Sequence, residues 1–360
     1  MKKLSVIGHF GRGRNLLNGQ TVKTEIVTGE LQNQFGQGQV VCFDTCGGWK
    51  TLFKAPFQAL SALRRSRNVL IFPAQNGVRV YAPLLRFFSR FFKNRKLHYA
   101  VIGGWLPQFL MKRKRLAKAL KKFDGIYVET ETMKKALETQ GFRNVYLLPN
   151  CKNLTVLSEK ELVMPAGAPY RLCTFSRVMR EKGIGDAVDA VISVNRELGY
   201  EAFSLDIYGQ VDEGQTEWFA ALQQTFPPCI RYGGAVPYDR SVEVLKDYFA
   251  LLFPTCYEGE GFAGTLIDAF SAGVPVIASD WKYNAEIVND RVGFVYPTGD
   301  GRALTALLKS AASDPATVLD KKRNCLAEAK KYETKKAVQA LLEQMEYQEG
   351  VSPRDTLQDV

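Results

Sequence analysis

The stretch "FALLFPTCYEGEGFAGTLIDAFSAGVPVIASD", residues 249–280, carries the pattern that decides the architecture. FALLFPT is a short apolar run closed by Pro254, which reads as a buried strand. A turn broken by glycines follows and opens directly into an apolar helix, predicted from about Thr265 to Ala272. Gly273 ends that helix, and VPVIASD reads as the next strand. Strand, helix and strand in immediate succession make a parallel crossover unit. Glu258, Glu260 and Asp268 stand around the turn, where the helix N-terminus itself attracts anions. Why acids gather at an anion site is the functional question.

The same rhythm runs outward in both directions. KLSVIGHF, QVVCFDT, NVLIFPA, LHYAVIGG, GIYVET and NVYLLP in the first half are β-branched or aromatic and bounded by turn residues. YRLCTFS, FSLDIYGQ, CIRYGGAV, FALLFPT, VPVIASD and VGFVYP continue the series in the second half, with helical patterns between. CKNLTVLSEKELVMPAGAP, residues 151–169, interrupts it. The expected class is α/β, with two Rossmann-like domains facing each other across a cleft. Residues 1–155 form the N-terminal domain and residues 165–335 the C-terminal one. The final helical stretch, about 336–360, is expected to pack back on the first. Open α/β sheets take ligands beyond the carboxyl ends of their strands, so candidate residues are sought there.

Composition sets the outer limits. The 360 residues are 46% hydrophobic and 24% charged, which suits a globular chain. There is no apolar run of eighteen residues, and the apolar part of MKKLSVIGHFGRGR is too short for a signal peptide, so it is predicted as a strand. Seven scattered cysteines form no CxxC pair, and the only histidines are His9 and His98. That argues against zinc, for no metal site at all, and for a reducing cytoplasm. His98 lies inside a predicted strand and is expected to be packed. The net charge of +11 is local: between Arg86 and Phe123 stand twelve basic residues and no acidic one. The remainder, 36 basic against 37 acidic, is nearly neutral.

Two further features carry chemistry. In CTFSRVMREKGIGDAVDAV, Arg177 ends a strand and Lys182 precedes Gly183 and a helix with apolar Ala187, Val188, Val191 and Val194. Two cations at such a turn can clamp a diphosphate, with the helix amides adding donors. In the opening stretch, the amides of Gly264 and Thr265 point where a phosphate would sit. Glu260 can accept from sugar hydroxyls, and Asp268 can take both hydroxyls of a ribose. Thr265 with Asp268 also matches a capping box, so Asp268 is equally readable as a helix cap. Glu258 reads as a loop acid.

Arg177, Lys182, Glu260 and, after seven intervening residues, Asp268 together resemble the signature of the family-4 retaining glycosyltransferases with the GT-B fold. The second acid of that signature is usually Glu, so Asp268 is shorter. The resemblance is sharpest over residues 171–300. It implies that Arg177, Lys182 and Glu260 are catalytic, the two cations neutralising the leaving diphosphate and Glu260 holding the transferred sugar. It also implies that Gly261, Phe262, Ala263, Gly264 and Thr265 surround the donor, that Asp268 holds the ribose and that the turn at Gly234 lies near the base. The glycine-rich loop containing Gly13 approaches the donor from the first domain. Gly103 and Gly104 stand on the acceptor side, where many family members have a histidine. The donor is expected to be a UDP-sugar, with no cofactor besides.

No Asp-x-Asp pair, dinucleotide fingerprint or Gly-Lys-Ser/Thr loop is present, which leaves cations and helix dipoles to neutralise a diphosphate. In LLRFFSRFFKNRK, Phe87, Phe88, Phe91 and Phe92 alternate with cations, and the aromatics are expected to pack on the sheet as an ordinary crossover helix. Arg86, Arg90, Lys112, Arg113, Lys114 and Arg115 are expected to form a patch for an anionic membrane surface and a lipid-linked acceptor. A nucleic-acid-binding protein and a non-catalytic nucleotide-sugar binder are the competing readings, although no nucleic-acid motif is present.

Overall fold

The computed structural model describes residues 1–11, 19–47 and 53–346. They form two compact units. One runs from Met1 to Cys151 and takes in the chain from Thr334 onward; the other runs from Lys152 to Glu333.

The first unit is built on β1 (Lys2–Gly8), β2 (Val40–Asp44), β3 (Ser66–Ile71), β4 (Lys96–Ala100), β5 (Gly125–Val128) and β6 (Val145–Leu147). Their order in the sheet is β2-β1-β3-β4-β5-β6, and every pairing is parallel. The central strands are buried on both faces, which is why they read as nearly continuous apolar runs. Leu4, Val6, Val27, Leu31 and Leu70 share a core with Val338, Leu341 and Met345 from the end of the chain. That terminal stretch is broken into Thr334–Ala337 and Gln339–Glu346, and the part of the predicted stretch over 347–360 lies outside the described residues.

The second unit is built on β7 (Tyr170–Phe175), β8 (Phe203–Tyr208), β9 (Ile230–Gly234), β10 (Ala250–Phe253), β11 (Val276–Ser279) and β12 (Gly293–Tyr296). The order is β12-β11-β10-β7-β8-β9, again all parallel. The order reverses between β7 and β10. Crossovers leave these two strands in opposite directions, and the resulting crevice at their carboxyl ends is where such sheets hold ligands. The predicted apolar positions Ala187, Val188, Val191 and Val194 are all buried on the Ile184–Leu198 helix.

His98 is fully buried on β4, with Nδ1 3.0 Å from the Tyr127 hydroxyl and Nε2 3.2 Å from Asn68 Oδ1. An amide oxygen only accepts, so Nε2 carries the proton and the phenol donates to Nδ1. The expectation for the aromatics holds only in part. The Gln75–Phe88 helix buries Val78, Tyr81, Ala82 and Leu85, one helical face, which turns Phe87 and Phe91 outward to 52% and 71% exposure.

Candidate functional site

The site is built where β7 and β10 release their loops. After β7 the chain makes a short 3-10 turn, Arg180–Lys182, and reverses at Gly183 with φ of 70°. A Cβ at Gly183 would lie 2.1 Å from the Pro254 carbonyl oxygen. Only glycine permits both the left-handed backbone and this approach, and the approach brings Lys182 against the loop after β10. Lys182 Nζ stands 2.5 Å from Glu260 Oε2 and 5.0 Å from the Tyr257 ring centroid. The Thr255 hydroxyl lies 2.9 Å from the same Oε2 and accepts from the Tyr257 amide at 3.2 Å. Glu260 is buried, and its two bonds hold the carboxylate in one orientation. Both bonds fall on Oε2; among the described residues Oε1 has no partner.

The next crossover braces this loop. Ser279 Oγ donates to the Thr255 carbonyl at 2.6 Å, and Trp281 Nε1 to that of Tyr257 at 2.8 Å. Glu258 is exposed and pairs with Lys282 at 3.0 Å, as suits a loop acid.

The Gly264–Ser271 helix starts one residue earlier than predicted. Its N-cap is Ala263, with no side-chain capping bond, so the capping-box reading of Thr265 and Asp268 is wrong. Asp268 sits in the second turn and is 1% exposed. Its Oδ2 pairs with Lys152 Nζ at 2.5 Å and its Oδ1 accepts from Ser241 Oγ at 2.8 Å. The first amides, Gly264 and Thr265, lack intrahelical partners by the geometry of a helix start. The Thr265 hydroxyl is sequestered and has no hydrogen-bond partner among the described residues.

The remaining candidates are dispersed. Arg177 is half-exposed and reaches Asp212 at 3.4 Å, so the two predicted diphosphate cations lie on different acids. The Phe262 side chain does not line the site: it is buried against Tyr332, ring centroids 4.7 Å apart, while Gly261 and Ala263 flank it. Gly234 ends β9 with φ of 79°, and its carbonyl accepts from the Gly209 amide at 2.9 Å. Gly103 and Gly104 follow β4. The Gly103 amide donates to Glu129 Oε2 at 3.3 Å, and Glu129 Oε1 pairs with Lys23 at 2.6 Å in a fully buried ion pair. In the basic segment Arg113 stacks on Phe109 at 3.7 Å, while Lys112, Lys114, Arg115 and Arg90 are exposed and Arg86 half-buried. Gly13 lies outside the described residues.

Sequence reasoning missed Thr255, Lys152, Ser241, Lys23 and Glu129. A hydroxyl just past a buried strand was a usable signal for Thr255. Lys152 and Ser241 lie 116 and 27 residues from Asp268, and no local pattern links them.

Two six-stranded, all-parallel sheets with helices packed on them are the architecture of the GT-B fold. The fold is shared with HepE of Anabaena, solved in complex with UDP, at a TM-score of 0.72 and 15% identity, covering 96% of this chain and 100% of that one. Residues 165–333 match the model of the glycosyl transferases group 1 family. By sequence, the amylovoran biosynthesis glycosyltransferase AmsK of Erwinia amylovora is 27% identical over 156 residues, 42% of this chain and 38% of its own length. The GtfA subunit of the UDP-N-acetylglucosamine–peptide N-acetylglucosaminyltransferase of Streptococcus gordonii is 29% identical over 184 residues, 49% of this chain and 34% of its own. The chain therefore spans well under half the length of either relative.

Proposed function

We propose that the protein transfers a sugar, with retention at the anomeric carbon, from a UDP-sugar to a lipid-linked saccharide in the synthesis of a surface polysaccharide. The observation that carries this reading is the Lys182–Glu260 pair, fixed by Thr255 beside the head of the Gly264–Ser271 helix. Lys182, Arg177 and the Gly264 and Thr265 amides meet the diphosphate. Glu260 offers Oε1 to a hydroxyl of the transferred sugar. The anomeric carbon–phosphate oxygen bond breaks as the acceptor oxygen bonds to the same face, and the acceptor proton passes to the departing phosphate oxygen. Asp268 serves the ribose only after exchanging a bond to Lys152 or Ser241 for a ribose hydroxyl. Cations and amides carry the negative charge, so turnover persists in EDTA.

The acceptor reading rests on the basic segment, whose cations suit an anionic leaflet, and is compatible with the amylovoran biosynthesis in the name of AmsK. It places the protein at the cytoplasmic face of the membrane. A peptide acceptor is the second reading, favoured by the likeness to GtfA. A panel of nucleotide sugars tested by thermal shift, followed by product analysis with a polyprenyl-diphosphate saccharide and with a Ser/Thr-rich peptide, tests both. Stabilisation by no UDP-sugar in the panel contradicts the donor assignment, and glycosylation of the peptide alone contradicts the lipid acceptor.

A further inference from the structure

The basic segment is more than a cloud of charge. Phe87 and Phe91 lie four residues apart, stack edge to face at 5.7 Å, and stand 52% and 71% exposed at the end of the Gln75–Phe88 helix. Arg86 and Arg90 alternate with them, and neither makes an ion pair among the described residues. The neighbouring Lys114–Leu120 helix packs on the same helix and presents Lys114 and Lys118, with Met111 just before it 68% exposed. Exposed rings alternating with cations, in a segment without one acid, match the boundary between phosphates and acyl chains of an anionic bilayer. A second copy is a poor occupant, since it would set Arg86 and Arg90 against their own counterparts.

We propose that Phe87 and Phe91 form a wedge that inserts below the headgroups of an anionic bilayer while Arg86 and Arg90 beside them hold the phosphates. This rests on the membrane attachment proposed above and adds apolar insertion to it. A crossover helix returns the chain to the amino edge of the sheet, so the wedge lies near the start of β4, away from Gly103 at its carboxyl end. It holds the first unit without covering that turn.

Flotation with phosphatidylcholine vesicles, with and without phosphatidylglycerol, tests this at low salt and at about 0.5 M salt, where surface charge is screened. Wild type is expected to keep a salt-resistant fraction bound to anionic vesicles. The double variant Phe87→Ser/Phe91→Ser should lose that fraction and bind about a hundredfold more weakly, roughly tenfold per ring, with unchanged melting temperature. Phe87→Leu/Phe91→Leu should restore it, and charge reversal at Arg86 and Arg90 should abolish binding at low salt. Identical salt curves for wild type and the serine variant would overturn the wedge and leave electrostatic attachment standing. Absence of binding by wild type to any vesicle overturns the attachment, and the wedge with it. A serine variant that changes only the sedimentation mass assigns the rings to self-association instead.

Discussion

The carboxyl edges of the two sheets each carry lysine–carboxylate pairs, and the contrast between them separates structure from chemistry. In the first unit Lys23 and Glu129 are each 2% exposed, and the second Glu129 oxygen holds the Gly103 amide. That pair braces a turn and is closed to ligands. In the second unit Lys182 and Glu260 are 12% and 8% exposed, at the point where strand order reverses, with one carboxylate oxygen uncommitted among the described residues. Lys152–Asp268 is intermediate: Asp268 is buried, but its partner is 15% exposed. Burial together with free hydrogen-bonding capacity, rather than the ion pair itself, distinguishes a site from a strut.

The largest expected effect breaks the closed pair. Lys23→Ala leaves Glu129 charged and buried, and should destabilise the protein by about 3–5 kcal/mol in chemical denaturation. The double variant Lys23→Leu/Glu129→Leu should recover most of that loss. A single variant that melts like wild type would make the two edges equivalent.

At the open pair the effect should fall on rate. Lys182→Ala is expected to lower turnover about a hundredfold, roughly 3 kcal/mol of transition-state stabilisation, with a smaller change in stability because water reaches the gap. Near-normal kcat in a folded variant would remove Lys182 from the reaction.

Acid should also tell the units apart. Burial, then the neighbouring charge of Lys96, pushes the His98 imidazole down from its ordinary 6.5 to about 3. The unfolded chain takes up a proton below pH 6.5 that the folded chain refuses. Stability present above pH 6.5 is therefore lost as pH falls towards 3, at about 1.4 kcal/mol per unit. Both histidines of the chain are in the first unit, so hydrogen exchange should show β4 and β5 opening before β7 and β10 as pH drops. A His98→Gln variant with the same acid limb would refute this.

The smallest effect concerns positioning. Thr255→Val keeps shape but removes the hydroxyl beside Glu260 Oε2, costing about 1 kcal/mol, or some fivefold in kcat. Because Thr255 acts through Glu260, Thr255→Ser should restore the rate.

All twelve strands were legible because buried parallel strands are apolar throughout and their boundaries are turn residues, both local properties. Arg177, Lys182, Glu260 and Asp268 were singled out by their places after strands and by the resemblance of their spacing to a family motif, and their roles are proposals. What those residues touch was not legible. Phe262 was chosen for its backbone amide, and its ring packs into the core against Tyr332. The capping box failed because the helix began one residue early and Asp268 found stronger partners across the fold.

The sequence by itself determined the α/β rhythm, the second-unit motif and the concentration of charge between Arg86 and Phe123, all of which depend on order along the chain. Only the tertiary structure decided that Lys182 meets Glu260, that Lys152 and Ser241 occupy Asp268, that Lys23 seals Glu129, and that Phe87 and Phe91 face outward. Those outcomes depend on which surfaces the sheets bury and which distant residues the crossovers carry to the same edge. Desolvation and hydrogen-bond satisfaction settle them in three dimensions, and neither leaves a local mark in the chain.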